Sequence, residues 1–193
     1  MTRTFIALEM NEDVQRYLEG VIRQMAHVLP RLRWVDPAGI HLTLAFLGEL
    51  TDEHLTEVTQ AAEAAAQRMN LFSYRISSMG IFGSPKSPRI IWIGIDEPSG
   101  TLTRLHSMLN KELEQRGFDV DRRSFAPHLT LARVKAPLTQ TEQKSLQEML
   151  TKGGNVSSKE YAAQSIHVMK SELTREGAKY TSLREICLHT DTQ

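Results

Sequence analysis

The chain has 193 residues, with 23 Lys and Arg against 23 Asp and Glu, so it carries no overall field that would hold a long polyanion such as a duplex. That length buries a core without disulfides, and the one cysteine, Cys187, has no partner in the chain, which points to a reducing compartment, taken here as the cytoplasm. No apolar stretch approaches the roughly 20 residues that a membrane span needs, and the opening MTRTFIALEM lacks the apolar core of a secretory signal, so no membrane partner is expected.

Phe5 to Leu8 is an apolar run of strand length, broken by Asn11-Glu12-Asp13. Val14, Tyr17, Leu18, Val21, Ile22, Met25 and Leu29 then recur at steps of three and four, which predicts a helix capped by Asn11 and ended by Pro30. His41 to Leu47 reads as a strand ending at Gly48, and a second helix starts near Thr51. Strands over 72–80 and 89–95 follow, separated by the breaker-rich loop Gly83 to Pro88. Leu102, Leu105, Leu109 and Leu113 mark a helix closed by Gly117. After the strand His128 to Leu131, the capping box Thr139-x-x-Glu142 opens a helix that ends at Gly153-Gly154, and strands near 160–168 and 180–188 complete the pattern.

The second half echoes the first. Matching landmarks, Thr4 and Ile90, His41 and His128, Phe72 and Tyr161, lie 86, 87 and 89 residues apart. His-Leu-Thr-Leu occurs in both halves, each time followed by alanine. We therefore expect one domain over 1–193, built by an internal duplication of about 4–82 and 89–188, with the two motif copies facing each other across a cleft.

On a strand, alternate side chains share a face, so His41 pairs with Thr43 and His128 with Thr130. A single His-x-Thr is ordinarily a half-buried polar pair; two copies in register are a different matter. Two imidazoles and two hydroxyls suit in-line displacement at phosphorus, one neutral His taking a proton from water and one protonated His giving a proton to the departing oxygen. The hydroxyls would hold the non-bridging oxygens as their charge grows. The histidine faces offer no carboxylates for magnesium and no third ligand for zinc, and His54, His106, His167 and His189 are scattered, so neither a metal nor another cofactor is expected.

These residues carry a resemblance to the two-histidine phosphoesterases, marked by a doubled His-x-Thr-x motif, and within them to the bacterial RNA 2',3'-cyclic phosphodiesterases, also called 2'-5' RNA ligases. It covers nearly the whole chain: Arg3 to Leu8, Trp34-Val35 through His41 to Glu49, Phe125 to Arg133, and the closing hairpin from Ser171 through Gly177 and Tyr180. The resemblance implies a bilobal α+β fold, two lobes of antiparallel sheet with packed helices around a central cleft. It also implies metal-independent hydrolysis of RNA 2',3'-cyclic phosphate to a 2'-phosphate, with 2'-5' ligation as related chemistry. Carried over, His41 is the proton donor, His128 the proton acceptor, and Thr43, Thr130 and Arg133 bind the phosphate. Strand parity from His128 puts Arg133 on the opposite face, so it reaches the cleft only if the strand bulges or ends near Ala132.

Arg31, Arg33, Arg122, Arg123, Lys86 and Arg89 are candidates to rim the cleft and follow an RNA backbone. Trp34 and Phe125 are candidates to stack a base, although both sit among apolar neighbours as core residues do. Expected partners are RNA ends or small nucleotides bearing a 2',3'-cyclic phosphate, met by a monomer. Two other readings stay open: the same chemistry on another cyclic phosphate or a 2'-5' linked oligonucleotide, and a non-catalytic module that binds RNA ends.

Overall fold

A computed structural model describes residues 1–151, 157–174 and 177–189. Strand β1 (Thr2–Glu9) leads into helix α1 (Glu12–Val28), whose N-terminus is closed by Asn11, its side chain accepting from the Val14 N–H at 3.0 Å. A two-residue strand β2 (Arg33–Trp34) and a 3-10 turn over Pro37–Gly39 precede β3 (His41–Leu50) and α2 (Asp52–Ala66). Then come β4 (Phe72–Ser84), β5 (Ser87–Asp96), α3 (Thr101–Gln115), β6 (His128–Arg133), α4 (Gln140–Thr151), β7 (Glu160–Ala163), β8 (Ser165–Leu173) and β9 (Ala178–Cys187). The class is α+β.

The strands form two antiparallel sheets, in the orders β3-β1-β8-β9 and β2-β6-β5-β4-β7. The orders correspond position by position once β2 is set aside: β3 with β6, β1 with β5, β8 with β4, β9 with β7. The first sheet takes β3 and β1 from the first half of the chain and β8 and β9 from the second; the other takes β6 and β5 from the second half and β4 from the first. The sheets are therefore not the sequence halves; the halves exchange strands. One continuous apolar core runs through the molecule, from Leu8, Leu42 and Leu44 in the first sheet to Ile91, Ile93 and Leu131 in the second. A small second cluster, Phe5, Ala7 and Met169 with Tyr180 against it, covers the other face of the first sheet.

Local expectations meet three differences. Gly83 to Pro88 is not an open loop: β4 and β5 run on into a tight hairpin in which Gly83 pairs with Pro88 and Ser84 with Ser87. Gly83, at φ +105°, absorbs the irregular register there, and the Ser84 hydroxyl accepts the Ser87 N–H at 3.1 Å. The strand at 41–47 does not end at Gly48, which sits at φ +72° in a bulge, and pairing resumes to Leu50. The strand expected near 160–168 is two strands, β7 pairing with β4 and β8 with β1, broken at Gln164 where the partner changes. The capping box is as expected: the Glu142 carboxylate accepts the Thr139 N–H at 2.7 Å and the Thr139 hydroxyl accepts the Glu142 N–H at 3.2 Å. The expected helix end at Gly153-Gly154 lies outside the described residues.

Candidate active site

Each motif histidine is fixed by the chain just before it. Asp36 caps the 3-10 turn by accepting the Ala38 N–H at 3.0 Å, and the turn presents the Gly39 carbonyl to His41 Nδ1 at 2.9 Å. At His128 the Ala126 carbonyl meets Nδ1 at 2.7 Å. A carbonyl only accepts, so both rings carry hydrogen on Nδ1 and leave Nε2 for chemistry. Aromatic rings fix the remaining freedom. His41 touches Phe5 and, edge-on, Tyr180, with centroids 4.7 and 4.8 Å away. His128 meets Phe82 edge-on at 4.8 Å and Trp92 at 6.1 Å.

Both motif strands bulge at the same place. Ile6 pairs with Ala45 and Ala7 with Thr43, which leaves Leu44 unpaired; Ile91 pairs with Ala132 and Trp92 with Thr130, which leaves Leu131 unpaired. Two consecutive buried residues follow in each strand, Leu44-Ala45 and Leu131-Ala132, and the alternation shifts by one. Arg133 is thereby turned to the face of His128 and Thr130, and its counterpart Phe46, 55 % exposed, to the face of His41 and Thr43. The parity objection to Arg133 is removed by that bulge.

Motif strand β3 is an edge of its sheet, and it packs against β6 of the other sheet. A cavity of about 620 Å³ opens where they meet, lined by His41, Thr43, Phe46 and Arg133 among others. His128 and Thr130 are not among its lining residues; they continue along the face of β6 that carries Arg133. Burial pushes the His41 imidazole below its ordinary 6.5, the Gly39 carbonyl opposes this, and the Arg133 charge adds to the lowering.

The other candidates separate. Arg33 and Trp34 line the cavity, and Trp34 donates its indole N–H to the Leu29 carbonyl at 3.2 Å. Phe125 is stacked on His106 at 3.9 Å. Arg31 forks onto Glu142, Arg122 pairs with Glu114 and Arg123 with Asp121, while Lys86 and Arg89 do not line the cavity. Sequence reasoning passed over Phe46 and Lys135, which do. The 87-residue offset that relates the histidines also relates Phe46 to Arg133 and would have found it. Among the described residues no group of three or more His, Cys, Asp or Glu is placed to hold a metal ion, and no helix is long and apolar enough to cross a membrane.

Residues 22–175 match the 2'-5' RNA ligase superfamily. The chain is 33 % identical over 133 residues to the RNA 2',3'-cyclic phosphodiesterase of Thermotoga maritima, covering 69 % of this chain and 70 % of that one. Against the protein of the same name from Aquifex aeolicus it is 27 % identical over 97 % of this chain and 98 % of the other. The fold is that of TT0787 from Thermus thermophilus, with a TM-score of 0.83 and 24 % identity over 98 % of this chain and 99 % of the other. With the doubled motif, its matched bulges and these similarities together, the chain belongs to the 2'-5' RNA ligase superfamily.

Proposed function

We propose that this enzyme hydrolyses the 2',3'-cyclic phosphate at an RNA 3' end to a 2'-phosphate without a metal, with His41 and His128 as its acid–base pair. A water oxygen bonds to phosphorus as the bond from phosphorus to O3' breaks; His128 takes the proton from water and His41 delivers one to O3'. Thr43, Thr130 and Arg133 hold the non-bridging oxygens, the guanidinium matching the phosphate fork. The single observation that carries this reading is the doubled arrangement itself: two histidines, each with Nδ1 on the carbonyl two residues earlier and each flanked by aromatic rings. In the free protein, burial and Arg133 favour neutral His41. A bound phosphodiester anion offsets the Arg133 charge, so His41 gains its proton as substrate arrives.

The same face would run the chemistry with a 5'-hydroxyl in place of water, which is 2'-5' ligation. The matched strand orders of the two sheets support an origin by duplication of about 4–82 and 89–188 within one domain. We place the enzyme in the cytoplasm as a monomer acting on RNA ends or small cyclic nucleotides.

The test is turnover of a 2',3'-cyclic nucleotide and of a cyclic-ended oligoribonucleotide in EDTA. The parent is expected to stay active, and His41→Ala and His128→Ala each to lose activity by about 10²-fold or more, the range of a general acid or base. A strict need for added divalent ion would overturn the mechanism; binding without turnover by the parent would make the protein a binding module.

A further inference from the structure

The space around His41 has two unlike ends. On one side the 620 Å³ cavity sets four cations, Arg3, Arg33, Arg133 and Lys135, against one carboxylate, Asp36. On the other, past Gly39 and Tyr180, a chamber of about 550 Å³ sets Glu9 and Asp36 against one cation, Lys179. A strand of phosphodiesters is drawn to the first and repelled by the second.

Arg133 stands beside His41 and belongs with the reacting phosphate. Arg3 and Lys135 have no part in that chemistry, yet both are exposed in the same cavity. Neither forms an ion pair among the described residues, whereas Arg31, Arg122 and Arg123 each do. The Arg3 guanidinium lies over the Phe46 ring, 5.0 Å from its centroid, which stations it at the cavity wall.

Resting on the phosphodiesterase reading above, we propose that Arg3 and Lys135 set specificity for an RNA chain over a free nucleotide. They grip phosphodiesters on the 5' side of the cyclic end, so the strand leaves through the cation-lined chamber and away from the carboxylate-lined one.

The experiment measures kcat/KM for a 2',3'-cyclic mononucleotide and for a short cyclic-ended oligoribonucleotide over a series of salt concentrations. The parent is expected to prefer the oligonucleotide, with the steeper salt dependence. In the Arg3→Ala, Lys135→Ala double variant the ratio of the two constants is expected to fall about tenfold, and the oligonucleotide's log–log salt slope to flatten by about 0.7 for each cation removed. If the alanine variant does not fold, Arg3→Gln with Lys135→Gln replaces it. Arg23→Ala with Arg75→Ala, outside this cavity, removes the same charge and is expected to keep the parent's ratio and slope. No preference in the parent, an unchanged ratio in the double variant, or an equal loss in the Arg23 and Arg75 control overturns the proposal while the phosphodiesterase reading stands. A parent inactive on the mononucleotide as well overturns both, and that inactivity distinguishes the two failures.

Discussion

His41 works in a setting that penalises its charged form, and the causes are separable. Burial is the largest and the Arg133 charge acts in the same direction, so neutralising Arg133 is expected to raise the His41 pKa part of the way back to 6.5. An NMR titration of the His41 ring in Arg133→Gln checks this; a midpoint unmoved from the parent's would mean that the two side chains do not sense each other. Since the same arginine is proposed to hold the phosphate, kcat/KM in that variant is expected to fall by about 100- to 1000-fold, the loss in kcat seen when one stabilising donor is removed elsewhere. The matching settings of His41 and His128 were legible because the motif is local and repeats. The face of Arg133 was not legible, because parity along a strand holds only while pairing is regular.

Among the elements, β4 and β5 form the wall behind His128. Gly80 pairs with Trp92, whose indole lies over the glycine so closely that a Cβ added there would be 2.2 Å from the ring. The same ring holds Phe82 at 5.5 Å and His128 at 6.1 Å. Gly80→Ala is therefore expected to cost about 1–3 kcal/mol, as overpacking does, and to lower activity by moving His128. Urea midpoints and steady-state rates on the same preparation check both; a variant of parental stability and rate would show that the indole is free to move. The starts of α1, α2 and α4 were legible to within a residue or two, because caps are written locally: Asn11, Thr51 and Thr139 each bond the helix they precede. The split of 160–168 into β7 and β8 was not, since both pieces have strand character and only their partners differ.

At the scale of the molecule, one contact ties sequence positions 111 residues apart. Arg31, in the segment that leads to the first motif, forks onto Glu142 in the capping box of α4. The guanidinium and the Thr139 N–H hold the Glu142 carboxyl down to about 2. The unfolded chain protonates this group near 4.3. The stabilising contribution is therefore fully present above that value and is lost as pH falls toward 2. Glu142→Gln keeps the capping-box geometry and removes the charge. It is expected to be less stable than the parent at neutral pH, with the gap closing as pH falls from about 5 toward about 2. Urea denaturation across that range checks it, and a gap independent of pH would show that the ion pair contributes nothing.

The order of residues along the chain was enough to define the helices, most of the strands, the period near 87 and the two histidines that share one setting, because each rests on neighbours within a few positions. Tertiary structure decided which strands share a sheet, how the halves exchange them, and that a bulge at Leu44 and again at Leu131 turns Phe46 and Arg133 toward the cleft. Strand pairing is made with residues far along the chain, and the side a residue faces after a bulge depends on that partner, so no local pattern records it.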